Sequence, residues 1–216
     1  MLFSDRHHAG VEVARMLSHY KGENCIVLAI PRGGVVVGYE VAKHLGSPLD
    51  VIVPRKLGAP GQPELAVGAV SEDGTIYLDD EIVKLTGVDR RYVEETAEAE
   101  MGEIRRRVSV YREGRPSLDV AGRIVILVDD GLATGSTVIA AIRHLRKLGP
   151  VKIVVAVPVA SREALARVRK EADEVYCRYS PSIFYAIGQF YEDFEQVSDE
   201  EVLNILNELR GRGVPG

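Results

Sequence analysis

The chain has 216 residues, 46% of them hydrophobic and 27% charged, a balance that allows a full core and argues against disorder. It carries 27 Lys and Arg against 32 Asp and Glu, a formal net charge of −5, which disfavours a general nucleic-acid binder with a basic footprint. Its two cysteines cannot build a disulfide framework or a Cys-based zinc site; the opening MLFSDRHHAG and the strand-sized apolar runs lead us to expect no signal peptide and no membrane span, hence a soluble, cytoplasmic protein.

Taken in chain order, Ala9, Val13, Met16 and Leu17 fall at helical spacing within Asp5 to Tyr20. Cys25–Ile30 (CIVLAI) is a continuous apolar run stopped by Pro31-Arg32-Gly33-Gly34, and reads as a strand buried on both faces. A helix over Val35–Leu45 ends at Gly46. Leu49–Val53 is a second buried strand, followed by Arg55-Lys56. The next segment, GAPGQPE, has Gly58, Pro60, Gly61 and Pro63 within six positions, so no regular structure is expected there. Leu65–Val70 and Thr75–Leu78 read as short strands around a Ser71–Gly74 turn. Residues 57–78 are thus expected to be a flexible loop and hairpin.

Asp89–Tyr111 reads as a long polar helix whose apolar stripe is Val93, Ala97, Met101, Ile104, Val108 and Tyr111. Five glutamates (Glu94, Glu95, Glu98, Glu100, Glu103) offset Arg105-Arg106-Arg107, so the helix is expected to lie on the core or a partner subunit, not on nucleic acid. A strand over Arg123–Val128, a helix to about Leu148, a strand over Val151–Val157, a helix over Ser161–Lys170 and a strand over Glu174–Cys177 follow. A last helix starts at the capping box Ser198-x-x-Glu201. Strands alternating with helices imply an α/β fold with a parallel sheet covered on both faces. We read one domain over 1–216, with 179–216 appended at its C-terminal end.

The most informative segment is IVILVDDGLATGSTV. A buried strand ends at Asp129-Asp130, a Gly- and hydroxyl-rich loop follows, and a helix begins. The amides of such a loop point at one spot, where the helix dipole adds roughly half a positive charge. Thr134, Ser136 and Thr137 offer hydroxyl donors, while Gly131 and Gly135 allow close approach. The loop suits a terminal phosphate. It lacks the lysine of a Walker A loop, and G-x-G-x-x-G is absent. Two carboxylates beside a phosphate call for a donor between them. A ribose diol carrying a 5′-phosphate supplies one, and Mg²⁺ near Asp129 and Asp130 would balance charge. The plainer alternative is an Asp-Gly turn whose hydroxyls cap the helix.

VDDGLATGST resembles the phosphoribosyl-diphosphate (PRPP) signature of the type I phosphoribosyltransferases. PRGG resembles their diphosphate-binding loop, Arg55-Lys56 the basic end of the second strand in several members, and the segment after it their flexible hood. Nearly the whole chain can be matched. It is most similar to a group of predicted bacterial and archaeal members with an N-terminal DR-x-x-AG, a PRGG and a late F-Y-A-x-G, all present here. The resemblance implies an open, doubly wound, mainly parallel sheet with a small hood or lid, and the first and third core strands adjacent. It implies an Mg²⁺-dependent pentosyltransferase in which an acceptor displaces diphosphate from C1′ of PRPP. It assigns the diphosphate to Arg32 and the amides of Gly33 and Gly34, with added positive charge from Arg55 and Lys56. It assigns the ribose hydroxyls to Asp129 and Asp130, and the 5′-phosphate to the loop Gly131, Leu132, Ala133, Thr134, Gly135, Ser136 and Thr137. Arg32, Lys56, Asp129 and Asp130 are then the catalytic candidates, with the metal held mostly through the ligand.

One position departs from part of the family. The enzymes for 6-oxopurines carry a third acidic residue in the loop where this chain has Ala133, which argues against hypoxanthine or guanine and leaves the small-molecule acceptor open. Phe184, Tyr185, Phe190, Tyr191 and Phe194 are expected to anchor the C-terminal segment rather than stack on an acceptor. His7-His8 reads as a solvated helix start, and His19, His44 and His144 as helix-surface residues. The alternative of another class is a non-catalytic module that senses PRPP or a nucleotide; homo-oligomerisation is left open.

Overall fold

The structure, a computed structural model, describes residues 2–211. The elements in chain order are α1 (Arg6–Met16), β1 (Cys25–Ala29), α2 (Gly33–Leu45), β2 (Leu49–Val51), β3 (Arg55–Ala59), β4 (Gln62–Val70) and β5 (Ile76–Leu78). Then come α3 (Asp80–Thr86), α4 (Arg90–Arg112), β6 (Ile124–Val128), α5 (Ser136–Lys147), β7 (Lys152–Val159), α6 (Arg162–Val168), β8 (Glu174–Tyr179) and α7 (Asp199–Gly211).

The apolar strands make one parallel sheet in the order β2-β1-β6-β7-β8. Along β1 the side chains alternate between two cores: Val27 and Ala29 join α1, α2, α4 and α7, while Ile26 and Leu28 join α5 and α6. That is why CIVLAI is apolar without alternation. β1 and β6 are neighbours, with Ala29 beside Val128. From them the chain winds outward in opposite directions, so a crevice opens between their carboxyl ends. There β1 runs into Pro31-Arg32, whose peptide is cis, and β6 into Asp129-Asp130. The sheet expected from the resemblance is the one found.

The helix starts divide into two kinds. Asp5 caps α1, Asp79 caps α3, Asp89 caps α4 and Ser161 caps α6, each accepting a backbone N–H. The predicted capping box opens α7: Glu201 N donates to Ser198 Oγ at 3.1 Å and Ser198 N to Glu201 Oε2 at 2.7 Å. At α2 and α5 the capping positions are Arg32, whose side chain takes no hydrogen bond from its helix, and Gly135, which has no side chain to take one. Both helices begin inside the motif loops, α2 two residues earlier than its sequence suggested.

The segment read as irregular is a sheet. β3 and β4 pair antiparallel from Arg55–Val70 to Ala59–Gln62, and β5 adds to β4. Its glycines and prolines make the bends rather than abolish the strands. Gly61 turns the hairpin at φ +71°. The register shifts on both sides of Gly58, where a Cβ would lie 2.7 Å from the Pro63 carbonyl oxygen. α3 had no counterpart in the sequence reading. α4 lies as expected, with Val93, Ala97, Ile104 and Tyr111 buried.

The C-terminal segment is stitched back to the N-terminus. Leu2 N and Phe3 N donate to the Phe190 carbonyl at 3.0 Å, and Glu192 N donates to the Phe3 carbonyl at 2.9 Å. Among the described residues no helix is long and apolar enough to cross a membrane.

Candidate active site

A cleft of about 570 Å³ lies at the carboxyl ends of β1 and β6. It brings together Arg32, Gly33, Arg55, Lys56, Asp129, Asp130 and Thr137 of the residues singled out in the sequence. Gly34, Gly131, Leu132, Ala133, Thr134, Gly135 and Ser136 do not line it; they shape or adjoin its floor.

The two aspartates form that floor, and glycines let them sit there. A Cβ on Gly33 would overlap Asp130 Oδ2 and lie 2.6 Å from Arg6 Nε; one on Gly34 would lie 3.0 Å from Asp129 Cα. The PRGG glycines therefore let the first turn of α2 press on the acidic pair. Asp129 Oδ1 accepts the Asp130 amide at 2.9 Å. Burial raises the pKa of both carboxyls; the neighbouring Asp130 charge adds to this for Asp129, while Arg6 offsets it for Asp130.

Past the aspartates, Gly131 packs against Ile187 and Val159 with no room for a Cβ. Leu132 is tied to the end of β7: its amide donates to the Val159 carbonyl at 2.9 Å and its carbonyl accepts from Ser161 N at 2.9 Å. The Leu132 amide is thus used internally and leaves the expected phosphate set. Ser161 Oγ fastens the Ala133 carbonyl at 2.8 Å. Ser136 N has a long contact, 3.4 Å, to Thr134 Oγ1. The amides of Ala133, Thr134, Gly135 and Thr137 have no backbone or side-chain acceptor among the described residues. Gly135 takes φ +80°, a conformation that favours glycine.

The wall is basic and pre-paired. Arg32 Nη1 sits 3.8 Å from Asp199 Oδ1, at the start of α7. Arg55 Nε donates to Glu100 Oε2 at 2.7 Å. Lys56 is 52% exposed and only loosely paired, 3.9 Å from Glu64. Arg107, which the sequence placed on a balanced outer face, lines the cleft beside Tyr92 and Thr96 and holds Glu103 at 2.7 Å.

Arg6 is the residue sequence reasoning missed. Its Nε donates to Asp130 Oδ2 at 2.8 Å and its Nη1 to the Glu195 carbonyl at 2.8 Å. The signal lay in DR-x-x-AG, but its partner is 124 residues away. Of the aromatics, Phe190 and Tyr191 are buried with Phe3, and the Tyr191 hydroxyl donates to the Asp130 carbonyl at 2.7 Å. Tyr185 is exposed. His7 reaches Glu40 at 3.0 Å, away from the cleft. His144 is largely buried against Ser71, not on the surface as expected. Among the described residues no three His, Cys, Asp or Glu side chains are grouped to hold a metal alone. A larger hollow of about 970 Å³ lies beside α3, α4, α5 and α6, but no motif residue reaches it and its Arg167 is paired with Asp79.

With this geometry in place, the family follows from comparison. A model of the phosphoribosyl transferase domain matches residues 9–195. The chain belongs to that family. It is 45% identical over 206 residues to a Mycobacterium tuberculosis protein named provisionally as a phosphoribosyl transferase, covering 95% of this chain and 46% of that protein. The chain therefore spans about half the length of the curated relatives it matches. A shorter match, 43% identical over 61 residues (27% of this chain, 22% of the relative), is to a ribose-phosphate pyrophosphokinase of Pyrococcus furiosus. Among solved structures, a protein from Thermus thermophilus is 45% identical with a TM-score of 0.81, covering 97% of this chain and 99% of that one.

Proposed function

We propose that this phosphoribosyl transferase domain uses PRPP as donor and moves its ribose 5-phosphate to a small-molecule acceptor other than a 6-oxopurine. The observation that carries the reading is the pair of uncapped helix starts. Of the seven α-helices among the described residues, α2 and α5 lack a capping side chain at the N-cap position; the first turn of α2 packs on the Asp129-Asp130 pair, and α5 begins at the end of the loop that follows it. An uncapped start presents free N–H groups and the positive end of a dipole. PRPP has a phosphate at each end and a diol between, the same order of anion, hydroxyl donor and anion.

In this reading the amides of Ala133, Thr134, Gly135 and Thr137 hold the 5′-phosphate. Asp129 and Asp130 accept from the ribose hydroxyls and stabilise the cationic ring. Arg32 and the amides of Gly33 and Gly34 take the diphosphate. Transfer breaks the C1′–O bond; the electron pair leaves with diphosphate while the acceptor's lone pair forms the new bond to C1′. Donors already aimed at the departing charge lower the barrier by about 3–4 kcal/mol each. Arg32 has a loose contact to release, and Lys56 is nearly unpaired, so both are free to turn to the diphosphate. Two carboxylates supply hard oxygen donors that suit Mg²⁺. One oxygen of each is already committed, to Arg6 and to the Asp130 amide, so the ion would be held largely through ligand oxygens, where it neutralises diphosphate charge. The β3–β4 hairpin would close over the cleft and exclude the water that hydrolyses an activated ribose. Ala133 offers no proton-exchanging carboxylate, which supports an acceptor that needs none there.

The test is diphosphate release from PRPP and Mg²⁺ across a panel of bases and amines. Release that depends on one acceptor is the expected result. Tight PRPP binding with no release across the panel would establish the sensing module instead.

A further inference from the structure

We propose that Arg6 is the positioning residue of this site, fixing one carboxylate oxygen of Asp130 so that the other faces the ribose hydroxyls. The inference rests on the PRPP reading above. Arg6 does not line the cleft, whereas Asp130 does, so it acts through that carboxylate. Its side chain is 11% exposed. Nε holds Asp130 Oδ2 at 2.8 Å, Nη1 holds the Glu195 carbonyl at 2.8 Å, and the guanidinium lies 3.8 Å above the Phe194 ring. Phe194 stacks on Tyr191 with centroids 4.8 Å apart, and the Tyr191 hydroxyl holds the Asp130 carbonyl at 2.7 Å.

One cluster thus grips Asp130 by side chain and main chain together. Gly33 closes the third side, because a Cβ there would overlap the same oxygen Arg6 holds. Three distant motifs, DR-x-x-AG, PRGG and DDG, meet at this point. No N–H or O–H donor reaches Asp130 Oδ1 among the described residues, and the Asp130 carboxyl interacts besides Arg6 with that of its neighbour Asp129. Oδ1 is the oxygen left for ligand, held in one orientation before ligand arrives, which is how a site avoids ordering its own groups on binding. The planar fork matters: lysine would return the charge but not the second donor to Glu195.

Calorimetry with PRPP and, separately, with inorganic diphosphate, both in Mg²⁺, on wild type, Arg6→Gln and Arg6→Lys tests this, with thermal melting alongside. Arg6→Gln is expected to weaken PRPP by roughly tenfold or more and diphosphate by less than about twofold, since diphosphate does not use Asp130; Arg6→Lys recovers part of the loss. Unchanged PRPP affinity in a folded variant overturns the role of Arg6 and leaves the proposed function standing. Equal loss of both ligands, unrelieved by lysine, shows a merely structural role and also overturns it. Should Arg6→Gln fail to fold, Arg6→Lys decides by the same ratio: a loss confined to PRPP supports the role, and equal loss or none refutes it. No PRPP binding by wild type removes the proposed function itself.

Discussion

The floor of the cleft, Asp129 to Thr137, and its wall, Arg55 to Val70, face the same space and are held in different ways. The floor continues a strand buried on both faces and is fixed from four sides: by Gly33 and Gly34, by Arg6, by Tyr191, and by Ser161 at the end of β7. The wall is a bulged hairpin in which Arg55 is tied to Glu100 of α4 and Lys56 only loosely to Glu64; Lys56 is half exposed and Glu64 almost wholly so. Binding sites commonly join a preorganised part to an adaptable one. In the proposed function, ribose and terminal phosphate fall to the part fixed from four sides, and the hairpin that adds charge toward the diphosphate is anchored in the core by Leu57, Val67 and Val70 and exposed at its tip.

The contrast predicts that substitutions in the floor cost more than those at the tip of the wall. The largest effect is expected from Gly33→Ala. Its methyl has no space beside Asp130 and Arg6, so overpacking of about 1–3 kcal/mol should appear in denaturant melts, with PRPP binding lost. Next is Asp130→Asn, which keeps shape but removes the charged acceptor; PRPP affinity should fall on the order of tenfold to a hundredfold by calorimetry. His8→Ala, at an exposed residue that does not line the cleft, should leave it unchanged. Comparable effects of the two would undo the floor assignment. Lys56→Ala in the wall, a half-exposed group that must first turn to the diphosphate, should slow diphosphate release roughly tenfold, less than the loss of a preorganised donor, while leaving the melting temperature in place. The smallest is Gly61→Ala at the hairpin turn, where φ +71° costs a residue with a Cβ about 1 kcal/mol, confined to the β3–β4 hairpin. A wall substitution that unfolded the domain would abolish the distinction.

The same contrast explains what was legible in the sequence. The floor is one contiguous run after one buried strand, so nine neighbouring residues carried both its place and its chemistry. Even there the sequence does not show that the Leu132 amide is taken, because its acceptor, the Val159 carbonyl, belongs to a strand brought alongside by the fold. In the wall, glycine and proline were read as breakers. They are the bulge and the turn that let β3 and β4 pair, a distinction set by the partner strand. Arg107 was hidden by its neighbours, since three consecutive arginines on a helix point in different directions and only one meets the cleft. Arg6 was hidden by distance along the chain. Of the aromatic run, Phe190 and Tyr191 are buried as an anchor while Tyr185 is exposed; what they anchor, the back of the acidic pair, appears once α1 and the C-terminal segment meet.

The central claim is most directly tested by a crystal structure of the domain with PRPP and Mg²⁺. The account predicts the 5′-phosphate on the amides of Ala133, Thr134, Gly135 and Thr137, the ribose hydroxyls on Asp129 and Asp130, and the diphosphate at the start of α2. PRPP bound away from the α5 start, with those four amides making no contact to it, would contradict the account.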